Sequence, residues 1–367
     1  MTNTLNDLSE LYADNKACAA LVNLTYIEGD DVPGITRAKA GTGFTYKTAH
    51  GHTITDEKLR ERIEGLAIPP AWEDVWICPA ASGHIQATGI DEKGRKQYIY
   101  HPKWRTMRDL IKFYRMIVFA EALPMIRQEI DASLQHPELD REKIIGAMLW
   151  LLDNTYIRIG NDAYFEENES VGLTTLSSTN VTIEGDLITL SFRGKSGKDQ
   201  IKTAQNAVVA EILTKLKAQH GGTRLFRYKE NDNYLNIEAD DINAYLHMLT
   251  GLQVSAKDFR TWGGTLMAFN HFVETSKLPD ADTPAPEKVA IDAVDAAADA
   301  LGNTRAVARS SYVHPDILQA YSDKHFDLYY DKAKKKRATD GLDKREVEML
   351  SFLEQLFEVE FELLQTK

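Results

Sequence analysis

The spacing of hydrophobic residues changes twice along the chain, and each change marks a different kind of structure. From about residue 24 to residue 100 the apolar positions fall in short runs broken by Gly and Pro: "GFTYKTA", "DVWICPA", "HIQATGID" and "QYIYHP". Short runs bounded by turn formers predict strands, and Gly94 in "DEKGRKQ" predicts a hairpin between the last two. One helix interrupts them, "DEKLRERIEGLA", opened by an Asp and stopped by the prolines of "GLAIPPAW". The first 24 residues read as a short helix and a lead-in.

From about Lys103 the apolar residues recur at helical spacing, in "KWRTMRDLIKFYRMIVFAEALPMIRQEID" and "DREKIIGAMLWLLDNTYIRIG". The stretch "VTIEGDLITLSFRGKSGKDQIKTA" then reads as three strands joined by two turns. Helices resume at "NAVVAEILTKLKAQ" and dominate the rest of the chain, apart from the Pro- and Asp-rich loop "KLPDADTPAPEK". The tail from Asp343 reads as an amphipathic helix with an acidic face. No internal repeat stands out. These patterns predict an α+β protein: a small β-rich N-terminal domain over residues 1–106, a larger, mainly helical domain with one small antiparallel sheet over 107–340, and a C-terminal helix over 341–367.

Composition narrows the class. The chain has 367 residues, 43% hydrophobic and 27% charged, as in ordinary globular proteins. Its two cysteines, Cys18 and Cys78, have no metal-ligand spacing, so neither a disulfide framework nor a metal site is expected. The first residues lack the basic and apolar pattern of a signal peptide, and no apolar run is long enough for a membrane span. A cytoplasmic location is therefore expected.

The net charge of -12 argues at first against a polyanionic partner; its distribution leaves locally basic surface, so such a partner stays compatible although composition alone does not favour it. Between His84 and Arg115 there are eight Lys or Arg against three Asp or Glu. The acid is concentrated in Asp280–Asp299 and Glu346–Glu362, segments that read as solvated faces. In "HIQATGIDEKGRKQYIYHPKWR", aromatics alternate with Arg95, Lys96, Lys103 and Arg105. Such cations either bind phosphate backbones, with Gln86, Tyr98 and Tyr100 having the reach to contact base edges or sugar-phosphate, or form the solvated basic face of an amphipathic strand.

Four stretches place reactive groups where one kind of structure gives way to another. In "DNTYIRIGNDAY", Arg158 ends a helix and Gly160 comes next as a stop. "SFRGKSGKDQ" puts Lys195 and Lys198 in a hairpin turn. "SAKDFRTWGG" sets Arg260 beside an aromatic and two glycines. "LGNTRAVARSSYVHP" carries Asn303 and Tyr312. Each has an ordinary explanation alone: helix-dipole partner, turn lysine, stacking arginine, helix stop, half-buried tyrosine. Together they make a metal-independent set for attack on a phosphodiester. A tyrosine, with an ordinary pKa of about 10, needs help to become a nucleophile. Two arginines stabilise the charge of the transition state, a lysine protonates the leaving oxygen, and an amide donates to a phosphate oxygen. No carboxylate cluster for paired magnesium ions lies beside them, and no Walker motif occurs.

These stretches, in this order and with this spacing, resemble the bacterial type IB DNA topoisomerases, which are similar to the compact poxvirus enzymes. The resemblance runs over roughly residues 25–335. It implies Tyr312 as nucleophile, Arg158 and Arg260 as the phosphate-gripping arginines, and Lys195 as general acid, with Lys198 as the other lysine of that turn. Asn303 falls where viral and eukaryotic members have a histidine, a departure that a hydrogen-bonding role tolerates. Tyr164 is implied as a further DNA contact. The resemblance also implies a monomer closing on double-stranded DNA as a C-shaped clamp, a 3′-phosphotyrosyl intermediate, strand swivelling and religation, with no nucleotide or metal cofactor. A tyrosine recombinase shares this chemistry, but its His-x-x-Arg motif is replaced here by Lys257-Asp258-Phe259-Arg260. A DNA-binding protein without catalysis would not need the whole set.

Overall fold

The computed structural model describes residues 14–29, 32–41, 43–161, 165, 170–219, 223–279 and 283–365. The chain divides into two compact units, Met1–Arg115 and Met116–Lys367.

In the first unit the turn formers act where the sequence places them. Asp56 caps a helix, accepting from the Leu59 N–H at 2.7 Å. That helix runs Glu57–Gly65 (α2), after a short α1 at Asn15–Leu21. Asp91 accepts from the N–H groups of Lys93 and Arg95, and Gly94 takes a positive φ. This closes the hairpin between β4 (Ile85–Ile90) and β5 (Lys96–Tyr100). With β1 (Ile35–Ala40), β2 (Gly43–Lys47) and β3 (Glu73–Ile77) they form an antiparallel sheet of order β2-β1-β3-β4-β5, leaving β5 at an edge. Ile35, Tyr46, Ile63, Val75 and Ile77 share its core with α2.

Helix α3 spans Pro102–Leu134, and the division between the units falls inside it. In the second unit α4 (Arg141–Thr155) comes next, then the sheet β6 (Val181–Glu184), β7 (Leu187–Arg193) and β8 (Asp199–Gln205), antiparallel as expected. After α5 (Ala207–Lys217) comes a second, two-stranded sheet, β9 (Arg227–Glu230) with β10 (Asn233–Asn236), which the sequence pattern did not announce. Its residues, "RYKENDNYLN", lack the apolar alternation by which strands are read.

Six helices complete the unit: α6 (Ala239–Thr250), α7 (Ala256–Thr275), α8 (Pro286–Leu301), α9 (Arg305–Ser311), α10 (Pro315–Ser322) and α11 (Phe326–Ala333). A seventh, α12, covers Lys344–Gln365. Helix α7 is buried around most of its circumference, as befits the centre of a helical core. No described helix is long and apolar enough to cross a membrane.

The acidic face of α12 is not wholly solvated, contrary to its sequence pattern. Glu346 and Glu348 are buried, at 3% and 4% exposure. Glu348 pairs with Arg345, and Glu346 takes two N–H bonds from Arg127, at 2.7 and 2.9 Å. The same guanidinium donates twice to Asp153 and once to the Gly341 carbonyl, so all five of its N–H donors are used. Glu346 also accepts from the Trp262 indole at 3.0 Å. One arginine thus joins α3, α4 and α12, and through Glu346 reaches α7.

Burial alone would raise the Glu346 carboxyl, but Arg127 outweighs it and holds the group below its ordinary range. A depressed carboxyl stabilises the fold above its unfolded pKa, and the contribution is lost as pH falls through the folded value. Glu346→Gln should therefore destabilise the protein at pH 7 by about 3 kcal/mol, the cost of breaking a buried pair. Urea unfolding at stepwise lower pH should show the wild-type and variant stabilities converging. Parallel curves would mean that the charge of Glu346 contributes nothing.

Candidate active site

Helix α4 stops before Arg158. It ends at Thr155, and Tyr156 adopts a left-handed conformation, so Arg158 lies in the extended segment beyond. The Arg158 carbonyl accepts from Leu173 N–H at 2.8 Å, which fixes that segment. Its Nη1–H then donates to the Tyr312 hydroxyl at 2.9 Å, and its Nη2–H donates to Asn303 Oδ1.

Arg260 approaches the same phenol from α7. Its guanidinium carbon lies 4.9 Å from the centre of the Tyr312 ring. Nη1 donates to the Tyr156 carbonyl and Nη2 to the Leu301 carbonyl, the latter at 3.1 Å, so backbone groups hold the side chain. The two glycines after Trp262 make this approach possible. A Cβ on Gly263 would come within 2.3 Å of the Tyr156 ring, and one on Gly264 within 3.1 Å of the Tyr312 Cβ. Helix α7 is therefore pressed against the Arg158 segment on one side and the tyrosine on the other. Thr265 fastens the second contact, donating to the Tyr312 carbonyl at 2.9 Å and accepting from the His314 N–H.

Tyr312 is 5% exposed. Burial pushes its phenol up, yet Arg260 and Arg158 together outweigh that and hold it below its ordinary value. Arg260 is brought down to about 10, by burial first and then by the like charge of Arg158. It remains a cation at neutral pH. Two polar groups here have no partner among the described residues: Arg260 Nε and Asn303 Nδ2, both buried. Unpartnered buried donors beside a tyrosine and two guanidiniums make a receptor for an anion with several oxygens.

Lys195 stands in a 3-10 turn, Lys195–Gly197, at the tip of the β7–β8 hairpin. It lines the same cleft as Arg158, Arg260 and Gly302, whereas Lys198 is not among the cleft-lining residues. Asn303 comes directly after Gly302, whose positive φ ends α8. The structure thus brings Tyr312, Arg158, Arg260 and Asn303 together, with Lys195 on the cleft that the two arginines line.

Two residues on the wall of this cleft were not expected from sequence, Gln200 and Lys202 of β8. Strand β8 pairs Leu190 with Lys202 and Phe192 with Gln200. Since Leu190 and Phe192 are buried, the inward positions of β8 fall on the polar residues, while Ile201 is 71% exposed. The hairpin register was the signal that would have revealed them.

The residues expected to touch DNA in the first unit divide. Tyr98 is exposed on the edge strand and stacks against Tyr100, with ring centres 5.8 Å apart. Lys96 lies near the Tyr98 ring, and Lys103 and Arg105 are exposed. Arg95 is exposed but grips Asp91 with Nε and Nη2, at 3.0 and 2.7 Å, and brings that carboxyl down to about 2. Gln86 is buried: both its N–H groups are taken by the carbonyls of Ala81 and Gly83, and its oxygen accepts from Arg62. It closes a loop of its own unit and offers no N–H to a base edge, contrary to expectation. Tyr164 lies outside the described residues.

Comparison with known proteins places this geometry. The catalytic core of eukaryotic DNA topoisomerase I matches residues 101–339, and the N-terminal domain of bacterial DNA topoisomerase IB matches residues 43–91. DNA topoisomerase 1B of Acanthamoeba polyphaga mimivirus is 31% identical over 306 residues, 82% of this chain and 91% of that protein. DNA topoisomerase 1 of rabbit fibroma virus is 25% identical over 291 residues, 75% and 88% of the two chains. DNA topoisomerase 1B of vaccinia virus is 23% identical over 300 residues, 78% and 90% of the two. With a core match over more than half its length, and a relative of this identity across most of both proteins, the chain belongs to the type IB DNA topoisomerase family.

Proposed function

We propose that this protein relaxes supercoiled duplex DNA by cutting one strand through Tyr312, letting the free end swivel, and resealing it. The observation that carries this reading is the 2.9 Å bond from Arg158 to the Tyr312 hydroxyl, beside the unpartnered donors of Arg260 and Asn303. Tyr312 Oη attacks the scissile phosphorus, and the bond from phosphorus to the 5′ oxygen breaks. The phenol proton leaves to solvent and Lys195 protonates the departing 5′ oxygen. Arg158, Arg260 and the Asn303 amide hold the non-bridging oxygens as their charge grows. The product is a 3′-phosphotyrosyl link that keeps the energy of the phosphoester. The released 5′-hydroxyl later displaces the tyrosine by the reverse path, so the chemistry needs neither nucleotide nor metal. We assign Lys195 over Lys198 as the acid because it lines the cleft with both arginines.

In the first unit Lys96, Lys103 and Arg105 supply backbone contacts, with the Tyr98–Tyr100 stack beside them. Arg95 contributes less to DNA affinity than its exposure implies, since Asp91 already pairs with it. We propose that one chain carries the whole activity.

The deciding experiment is plasmid relaxation in EDTA without nucleotide, with a detergent quench to trap protein-linked DNA. The wild type should remove both signs of supercoil and leave an adduct. Tyr312→Phe should bind DNA with near-normal affinity and do neither; relaxation by that variant would falsify the nucleophile assignment. A wild type that cuts only at one special sequence and exchanges strands there would be a recombinase instead.

Arg158→Ala and Arg260→Ala should each slow adduct formation by about 10²–10³-fold, the range for removing one transition-state donor. The pH dependence carries a further sign. Arg158 is one of two cations that hold the phenol down, so its removal lets the Tyr312 pKa rise. The alkaline rise in single-turnover cleavage should appear at higher pH in Arg158→Ala than in wild type. An unmoved profile would mean that Arg158 acts only on the phosphate.

A further inference from the structure

Lys202 has no role in the bond making and breaking proposed above, yet it lines the same cleft and sits where a lysine is costly. Its strand position faces inward, paired with a fully buried leucine on β7, while the adjacent isoleucine points outward. An apolar side chain would fill such a position without stripping water from a charge. The ammonium is further disfavoured by its neighbours. Burial, then Arg260, then Arg158 bring its pKa down to about 8.

Its contact explains the placement. Lys202 Nζ donates to the Ala300 carbonyl in the last turn of α8. The next carbonyl, of Leu301, accepts from Arg260, and the one after, of Gly302, accepts from Gln200 at 3.3 Å. Three successive carbonyls at the end of one helix are thus each held by a different side chain of the cleft. Helix C-termini leave such carbonyls without internal partners and carry a partial negative charge that favours cations. The next residue along is Asn303, whose side chain meets Arg158. Two of the three holds come from β8, the strand that leads directly out of the turn carrying Lys195.

We propose that Lys202 is a positioning residue for DNA cleavage: its hold on the Ala300 carbonyl fixes the turn that presents Asn303 to Arg158. This rests on the reading of Tyr312 as nucleophile and goes beyond it, since Lys202 touches none of the reacting atoms. It acts through Asn303, and it couples the hairpin bearing the general acid to the turn bearing the amide. A lysine kept for this purpose opposes stability, because its amine is buried among cations.

The test uses Lys202→Met, which keeps length and volume but removes charge and donor, with Lys202→Arg as the conservative variant. Single-turnover formation of the covalent adduct is measured on a linear duplex with protein in excess, beside DNA affinity and thermal midpoint. Lys202→Met should cleave about 10- to 100-fold more slowly, the scale of a lost positioning contact. Its DNA affinity should fall far less than its rate, and its thermal midpoint should be equal to or higher than that of the wild type. Lys202→Arg should recover part of the rate. In Lys202→Met/Asn303→Ala the two losses should not multiply, since both remove the same contact.

Wild-type rates in Lys202→Met would overturn the proposal and leave the nucleophile reading intact, as would losses that multiply. So would full recovery by Lys202→Met on a substrate whose 5′ bridging oxygen is replaced by sulfur, a leaving group that needs no proton; Lys202 would then be an acid. A wild type that forms no adduct would overturn both readings together.

Discussion

The guanidinium of Arg127 is the constraint on which the catalytic unit depends. Five N–H donors in a rigid fork meet two carboxylates and a carbonyl, and no donor is left over. Asp153 lies near the end of α4, shortly before Arg158, and Glu346 reaches Trp262, two residues from Arg260. The two arginines that flank Tyr312 therefore extend from elements fastened to one buried cation. A lysine in its place could supply neither the planar fork nor five bonds. Two carboxylates share this one guanidinium, and burial pushes the Asp153 carboxyl up while Arg127 and the Trp262 indole hold Glu346 down.

The cleft itself is not neutralised. Arg158, Arg260 and Lys202 stand close enough for the first two to lower the third, and Arg158 lowers Arg260. Like charges gathered in a partly buried site repel one another, and the surrounding carbonyls of Tyr156, Ala300 and Leu301 offset this only as dipoles. In the proposed reaction an incoming phosphodiester supplies the missing anion, and its transition state supplies more. The strain between the cations is thus relieved most at the point of greatest charge, which is the condition for catalysis by a preorganised site.

Much of this was legible in the sequence, and the limits have physical causes. Short apolar runs bounded by turn formers, with Asp56 and Gly94, marked the strands and turns of the first unit because those signals are local. Tyr312, Arg158, Arg260, Lys195 and Asn303 were legible only as a set in order, since each alone has an ordinary explanation. What failed to appear depends on partners distant in sequence. Gln86 looks like a surface amide until Arg62 and two carbonyls enclose it. Glu346 belongs to an acidic stripe until Arg127 is brought to it from another helix. Lys202 looks like an ordinary solvated lysine until the register with β7 turns it inward. The β9–β10 hairpin gave no signal because its strands expose most of their residues.

The hold of Glu346 on Arg127 and Trp262 also sets an order of events during synthesis. Arg158, Lys195, Arg260, Asn303 and Tyr312 have all been joined once synthesis passes Tyr312, but the carboxylate that ties α3 to α7 is added later. Until then Arg127 lacks two of its bonds and the Trp262 indole lacks its acceptor. A nascent chain therefore possesses Tyr312, Arg158 and Arg260 before it possesses the carboxylate that ties α3 to α7. The tie between α3 and α7 is thus supplied by a residue that follows Arg158, Arg260 and Tyr312 in the chain.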